Sequence, residues 1–182
     1  MTFDAHKKEI KMEEVWHPIE NYENYSISNY GSVYNRKAEK FMALSRTLQG
    51  DLKVTLVNQE GYRVTRSIRV LVAEAFVPLP FDERDERNVY CNTVIVLDGN
   101  KTHVSANNLA WRPRWFAQMY ARQMTNEYPD VYFNKTVNAQ TDVVYPSIIE
   151  AGLSEGLLFS DVLRSTHTGE SIYPTDCSYY FA

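Results

Sequence analysis

The chain has 182 residues, 44% apolar and 23% charged, with seven Gly, seven Pro and a net charge of -4. That is the make-up of a globular protein of one domain or two small ones, which excludes wholesale disorder and collagen-like repeats. No run approaches the roughly 18 apolar residues of a membrane span, and the opening MTFDAHKKEIKMEEVW lacks the apolar stretch of a signal peptide, so a cytosolic location is expected. Cys91 and Cys177 stand far apart without metal-ligand spacing, which predicts packed thiols rather than a disulfide or a zinc site.

Charge is unevenly spread. Residues 1–132 balance their signs, whereas residues 133–182 set Lys135 and Arg164 against Asp142, Glu150, Glu155, Asp161, Glu170 and Asp176. A surface meant for phosphate normally shows a basic face, because releasing counterions supplies most of the sequence-independent affinity. The acidic segment is poorly suited to that.

In chain order, Tyr25 and Ile27, the turn Asn29-Tyr30-Gly31, then Val33 and Tyr34 predict a first hairpin. Val54 and Leu56, Glu60-Gly61, then Tyr62 and Val64 predict a second. RVLVAEAF from Arg69 to Phe76 has helical spacing and stops before Pro78, so it reads as a short buried helix. FDERDERN from Phe81 to Asn88 reads as a solvated loop. Val94 to Leu97 is an apolar strand running into an Asp98-Gly99 hairpin turn, and Trp111 is expected buried at the base of the next helix. Arg112-Pro113 suits the first turn of that helix, which continues to Met124. Residues 126–138 look like a linker. Beyond it come a strand at Val143-Val144-Tyr145, a helix starting near Pro146, a turn at Gly152-Leu153-Ser154 with Ser154 capping a second helix, and a final strand at Tyr179-Tyr180-Phe181. The expected fold class is α+β, with a domain over 1–132 and a helix-turn-helix module over 133–182.

Five phrases, in order, are similar to those of one family. Glu14-Val15-Trp16 with YENYSISNYGSVYN (Tyr22 to Asn35), LVAEAF (Leu71 to Phe76), DGNK (Asp98 to Lys101), NLAW (Asn108 to Trp111) and YPSIIEAG (Tyr145 to Gly152) together resemble the phage HNH homing endonucleases. The resemblance implies a ββα-metal core that cuts DNA, with a His base, an Asp ligand beside it and an Asn ligand on the following helix. At those positions this chain has Val96, Ile95 and Ala117, none of which can accept a proton or coordinate a hard cation. Arg69 replaces the family's His before LVA. His103 is the one neighbouring imidazole and the sole catalytic candidate, while Asp98, Asn100, Asn107 and Asn108 read as turn and cap residues.

From these substitutions the chain is expected not to be an enzyme and to hold no metal or cofactor. It is expected to be a degenerate HNH protein reused as a protein-interaction or virion component, located in the cytoplasm of an infected bacterium or in the virion. Tyr173, Tyr179, Tyr180 and Phe181 are its interaction candidates within a phage assembly, as aromatic rings are enriched at interface cores. Two alternatives stand beside it, a non-catalytic DNA-binding regulator and a residual nicking endonuclease. Arg63, Arg66, Arg69, Arg112 and Arg114 are the DNA-contact candidates, with only weak DNA binding expected and no membrane partner.

Overall fold

Glycine turns and alternating apolar residues organise the N-terminal half of the chain in the computed structural model, which describes residues 13–82 and 84–182. The opening segment and Glu83 lie outside the described residues, and with them most of the stretch from which a missing signal peptide was inferred. Strands β1 (Trp16–Ile19), β2 (Tyr22–Ser28), β3 (Val33–Asn35) and β4 (Lys40–Phe41) form one antiparallel sheet in that order. The first expected hairpin is its β2–β3 pair, with Ile27 opposite Val33. Its turn needs Gly31, whose φ is 88°, and a Cβ there would stand 2.6 Å from Val104 and 2.9 Å from Ile68. The turn is therefore pressed against two later elements.

A second sheet runs β5 (Ser45–Arg46), β6 (Leu52–Val57), β7 (Arg63–Ser67), and its β6–β7 pair is the second expected hairpin, with Leu56 opposite Val64. Helix α1 (Ile68–Phe76) follows at once and buries Ile68, Leu71, Val72 and Ala73 against both sheets. Pro78 can neither continue a helix nor let the residue before it stay helical, which fixes the stop. The described residues of the charged segment after it are largely exposed, as expected of a solvated loop, and local contacts tie them together. Arg87 lies 3.8 Å over the Phe81 ring while bonding Asp85, and the Asn88 amide donates to the carbonyls of Phe81 and Asp82.

Strands β8 (Thr93–Val96) and β9 (Leu109–Arg112) pair antiparallel, and α2 (Arg114–Gln123) packs on them, giving a ββα unit. Asp98-Gly99 does form a turn, with the Gly99 amide donating to Val96. It opens a loop over 97–108 rather than closing a two-residue hairpin. Trp111 consequently sits in β9, half-buried, its indole N–H donating to the Val77 carbonyl at 3.2 Å, and not at a helix base. Cys91 is buried and Cys177 half-buried, both as free thiols.

The expected linker over 126–138 is corrected. It contains a 3-10 turn (Asp130–Phe133) and strand β10 (Thr136–Asn138), the centre of a sheet ordered β11 (Val144–Tyr145), β10, β12 (Tyr179–Phe181). All three residues of β10 are buried because the strand is paired on both sides. Helices α3 (Ile148–Glu155) and α4 (Phe159–Thr168) pack on this sheet. The expected cap of the second helix at Ser154 is corrected: Ser154 lies inside α3 and α4 starts after Leu158 without a side-chain cap, whereas Ser147 caps α3, its hydroxyl accepting the Glu150 N–H at 3.0 Å. The turn between the helices lies at Gly156 to Leu158, and Gly156 closes α3 in the left-handed conformation at φ 64°. Gly152 stays inside α3.

The helical pair is held tightly to the ββα unit. Arg112 is only 5% exposed, and its Nε donates to the Gly156 carbonyl at 3.0 Å and its Nη2 to the Glu155 carbonyl at 2.8 Å. Buried Gln123 copies a backbone pair, donating to the Leu157 carbonyl and accepting the Phe159 N–H. Leu158 fills the gap among Ile95, Leu97, Phe116 and Tyr120. Polar and apolar contacts thus close the same seam.

Candidate nucleic-acid interface

Residues of β8 alternate between two cores. Val94 and Val96 face the N-terminal core with α1, while Ile95 and Leu97 face Phe116 and Tyr120 on α2. Tyr120 anchors the helix by donating to the Leu97 carbonyl at 2.8 Å, and burial pushes its phenol well above the usual tyrosine range. The loop that follows β8 is braced from within. Buried Asn108 accepts the Asp98 N–H at 3.2 Å and donates to the His103 carbonyl at 2.8 Å. Asp98 accepts the Asn100 N–H through one carboxylate oxygen and holds His103 Nδ1 at 2.6 Å through the other. The asparagines act as turn and cap residues, and His103 is oriented by a carboxylate.

Between this hairpin and α2 lies a cleft of about 500 Å³. Its lining is partly aliphatic, with Ile95, Val96, Ala117 and Met124 among the lining residues, and Arg69, Lys101 and Arg114 bring three cations to it. No carboxylate lines it. The HNH-type resemblance implies a divalent metal here, and the residues do not fit one. The side chains of Ile95, Val96 and Ala117 offer no donor atom, and the lining holds no His, Cys, Asp or Glu. Among the described residues, no group of three or more such side chains could hold a metal ion. His103 and Asp98 are not part of the lining.

Five arginines were expected to contact DNA, and the structure separates them. Arg63 is exposed on β7, but Arg66 is three residues away on the same strand and so on the opposite face, where both Glu74 oxygens bond it at 2.9 Å. Arg69 and Arg114 meet at the cleft, although Asp51 lies 3.3 Å from Arg69 and partly neutralises it. Arg112 is corrected: it is buried among backbone carbonyls and cannot reach a nucleic acid. Lys101 also lines the cleft, although it was not among the sequence candidates. It stood in the DGNK phrase, where only the turn was read, yet its position just beyond Gly99 carries it to the cleft mouth.

The aromatic tail offers less surface than expected. Tyr179 is 2% exposed inside the C-terminal core, and burial raises its phenol above the usual range. Tyr173 is half-buried against Phe81, Trp115 and Phe116, and Phe181 packs edge-on against His167. Of the four candidates only Tyr180 is exposed, at 46%. Strand alternation explains the split, since Tyr179 and Tyr180 are neighbours on β12 and must point to opposite faces.

Residues 14–66 match the NUMOD4 motif. A protein of Acanthamoeba polyphaga mimivirus, named an uncharacterized HNH endonuclease, is 27% identical over 148 residues. The match covers 81% of this chain and 42% of that protein, so the chain spans less than half of its relative's length. Among solved structures, one described as "DNA binding and cleavage by the HNH homing endonuclease I-HmuI" aligns over 92% of this chain and 98% of its own, with a TM-score of 0.49 and 22% identity. The motif and the curated relative support an HNH endonuclease-like kinship. They also correct the expectation that the chain is not an enzyme, because the relative matching four-fifths of it carries the name of an endonuclease. No helix among the described residues is long and apolar enough to cross a membrane.

Proposed function

We propose that the chain is a nuclease-related DNA-binding protein that lays the cleft between β8–β9 and α2 against the sugar-phosphate backbone. The observation that carries this is the cleft's charge, with Arg69, Lys101 and Arg114 lining it and no carboxylate among its residues. A backbone phosphate accepts hydrogen bonds from such groups without reference to base sequence. The kinship with a protein named an HNH endonuclease supports the same direction. The overall charge of -4 does not oppose it, because the acidic excess lies in residues 133–182 while the cleft residues precede them. An assembly role built on the aromatic tail keeps only Tyr180 as an exposed ring.

The test is fluorescence anisotropy with a labelled duplex of random sequence at two salt concentrations. Binding should weaken steeply as salt rises. Joint substitution Lys101→Glu with Arg114→Glu should abolish it, since both side chains are exposed and their loss leaves the core intact. Unchanged affinity in that variant would place the contact elsewhere.

A second reading rests on the His103–Asp98 pair at 2.6 Å. A carboxylate that fixes one ring nitrogen leaves the other free to take a proton from an attacking water, which is the arrangement of a general base. On this reading supercoiled plasmid is nicked, and His103→Ala slows nicking by about a hundredfold or more. Nicking at full rate in that variant would rule out His103 as the base.

A further inference from the structure

We infer that the cleft grips a DNA phosphodiester without any divalent ion, with Lys101 and Arg114 standing as the counter-charge that a metal would otherwise supply. The inference deepens the DNA-binding reading and rests on it. Its ground is the mismatch between the cleft and a cation. A divalent ion must exchange part of its water for oxygen donors, and the lining offers only neutral ones such as Thr93, Gln118 and Thr125, with no carboxylate to balance its charge. It would also approach three positive side chains in a recess with a partly aliphatic lining, where like charges repel more strongly than in open water. The same features favour an anion.

The three cations are not equivalent. Arg69 shares its charge with Asp51 at 3.3 Å. Lys101 and Arg114 are exposed and have no ion-pair partner among the described residues, so both are free to meet a phosphate. They approach the cleft from different elements, Lys101 from the loop after β8 and Arg114 from the first residue of α2. Half-buried Ala117 and Met124 provide apolar contact of the kind that suits deoxyribose carbons beside the phosphate. The residues that displace the metal ligands thus line the same groove as the cations that replace its charge.

The experiment measures anisotropy of a labelled random-sequence duplex with the full chain, once in excess EDTA and once in Mg²⁺ at matched ionic strength. Affinity in EDTA should equal or exceed that in Mg²⁺, where the added cation competes for phosphate. In EDTA, Lys101→Ala combined with Arg114→Ala should weaken binding about tenfold or more and reduce the slope of log affinity against log salt by about two, near one for each lost phosphate contact. Binding that requires Mg²⁺ would overturn the inference while leaving the DNA-binding reading standing. Full affinity of the double alanine variant in EDTA would overturn it by moving the contact away from the cleft, and no binding under either condition would defeat both.

Discussion

Replacing Arg112 by alanine is expected to lower stability by about 3 kcal/mol, among the larger single-residue effects in this fold. The guanidinium is buried without a carboxylate partner, and its positive charge is met by the carbonyls of Glu155 and Gly156 at the C-terminal end of α3, with a third bond from Nη1 to the Trp111 carbonyl at 2.8 Å. That helix end carries the negative pole of the peptide dipoles and has carbonyls with no partner inside the helix. Burial pulls the Arg112 pKa below the usual arginine value, but a guanidinium starts so high that it stays charged at neutral pH. Alanine removes the charge and strands the carbonyls in a closed seam. Lysine should recover only part of the loss, since one ammonium cannot reproduce a fork that donates in three directions. Denaturant melts would show the midpoint falling with the slope unchanged; a loss below about 0.5 kcal/mol would mean that water replaces the guanidinium freely.

Gly152→Ala is expected to destabilise by about 1–2 kcal/mol, although alanine at an open helical site would stabilise by nearly 1 kcal/mol. The sign is set by Phe159. A Cβ on Gly152 would stand 2.4 Å from Phe159 Cδ1 and 2.8 Å from Cε1. That ring is only 3% exposed and packs edge-on against Tyr128, so it has little room to yield. Pairing the change with Phe159→Leu should cost less than the sum of the two single changes, because the smaller side chain vacates the space that the new methyl needs. Strict additivity, or a stabilising Gly152→Ala, would contradict the contact.

Gly152 also shows where sequence reasoning stops. Glycine punctuates turns far more often than it packs under a ring, so a Gly-Leu-Ser segment between two apolar runs reads as a break. Only the tertiary position of Phe159 reveals the other cause. Residues 126–138 failed for a related reason: Pro129 and several polar residues resemble a linker, but Thr136 and Asn138 are buried because neighbouring strands and their own side-chain bonds satisfy them. The hairpins around Gly31 and Gly61 and the helix before Pro78 were legible because their signals are local. In the candidate site, the residues at Ile95, Val96 and Ala117 and the turn roles of Asp98, Asn100 and Asn108 could be read from the order of short phrases. Which arginine is a surface cation and which a buried clamp could not, since Arg112 and Arg114 differ by two positions and by nothing in their chemistry. Lys101 needed the cleft to be seen before its position meant anything.

Lysine footprinting is the most direct test of the cleft as the DNA-binding surface. The full chain is acetylated briefly with and without a random-sequence duplex in low salt, and modification at each lysine is read by mass spectrometry. Lys101 should lose most of its reactivity when DNA is present, while Lys53 on β6 and Lys135 before β10, neither of which lines the cleft, should keep theirs. Undiminished acetylation of Lys101 in a sample where the duplex is demonstrably bound would contradict the account.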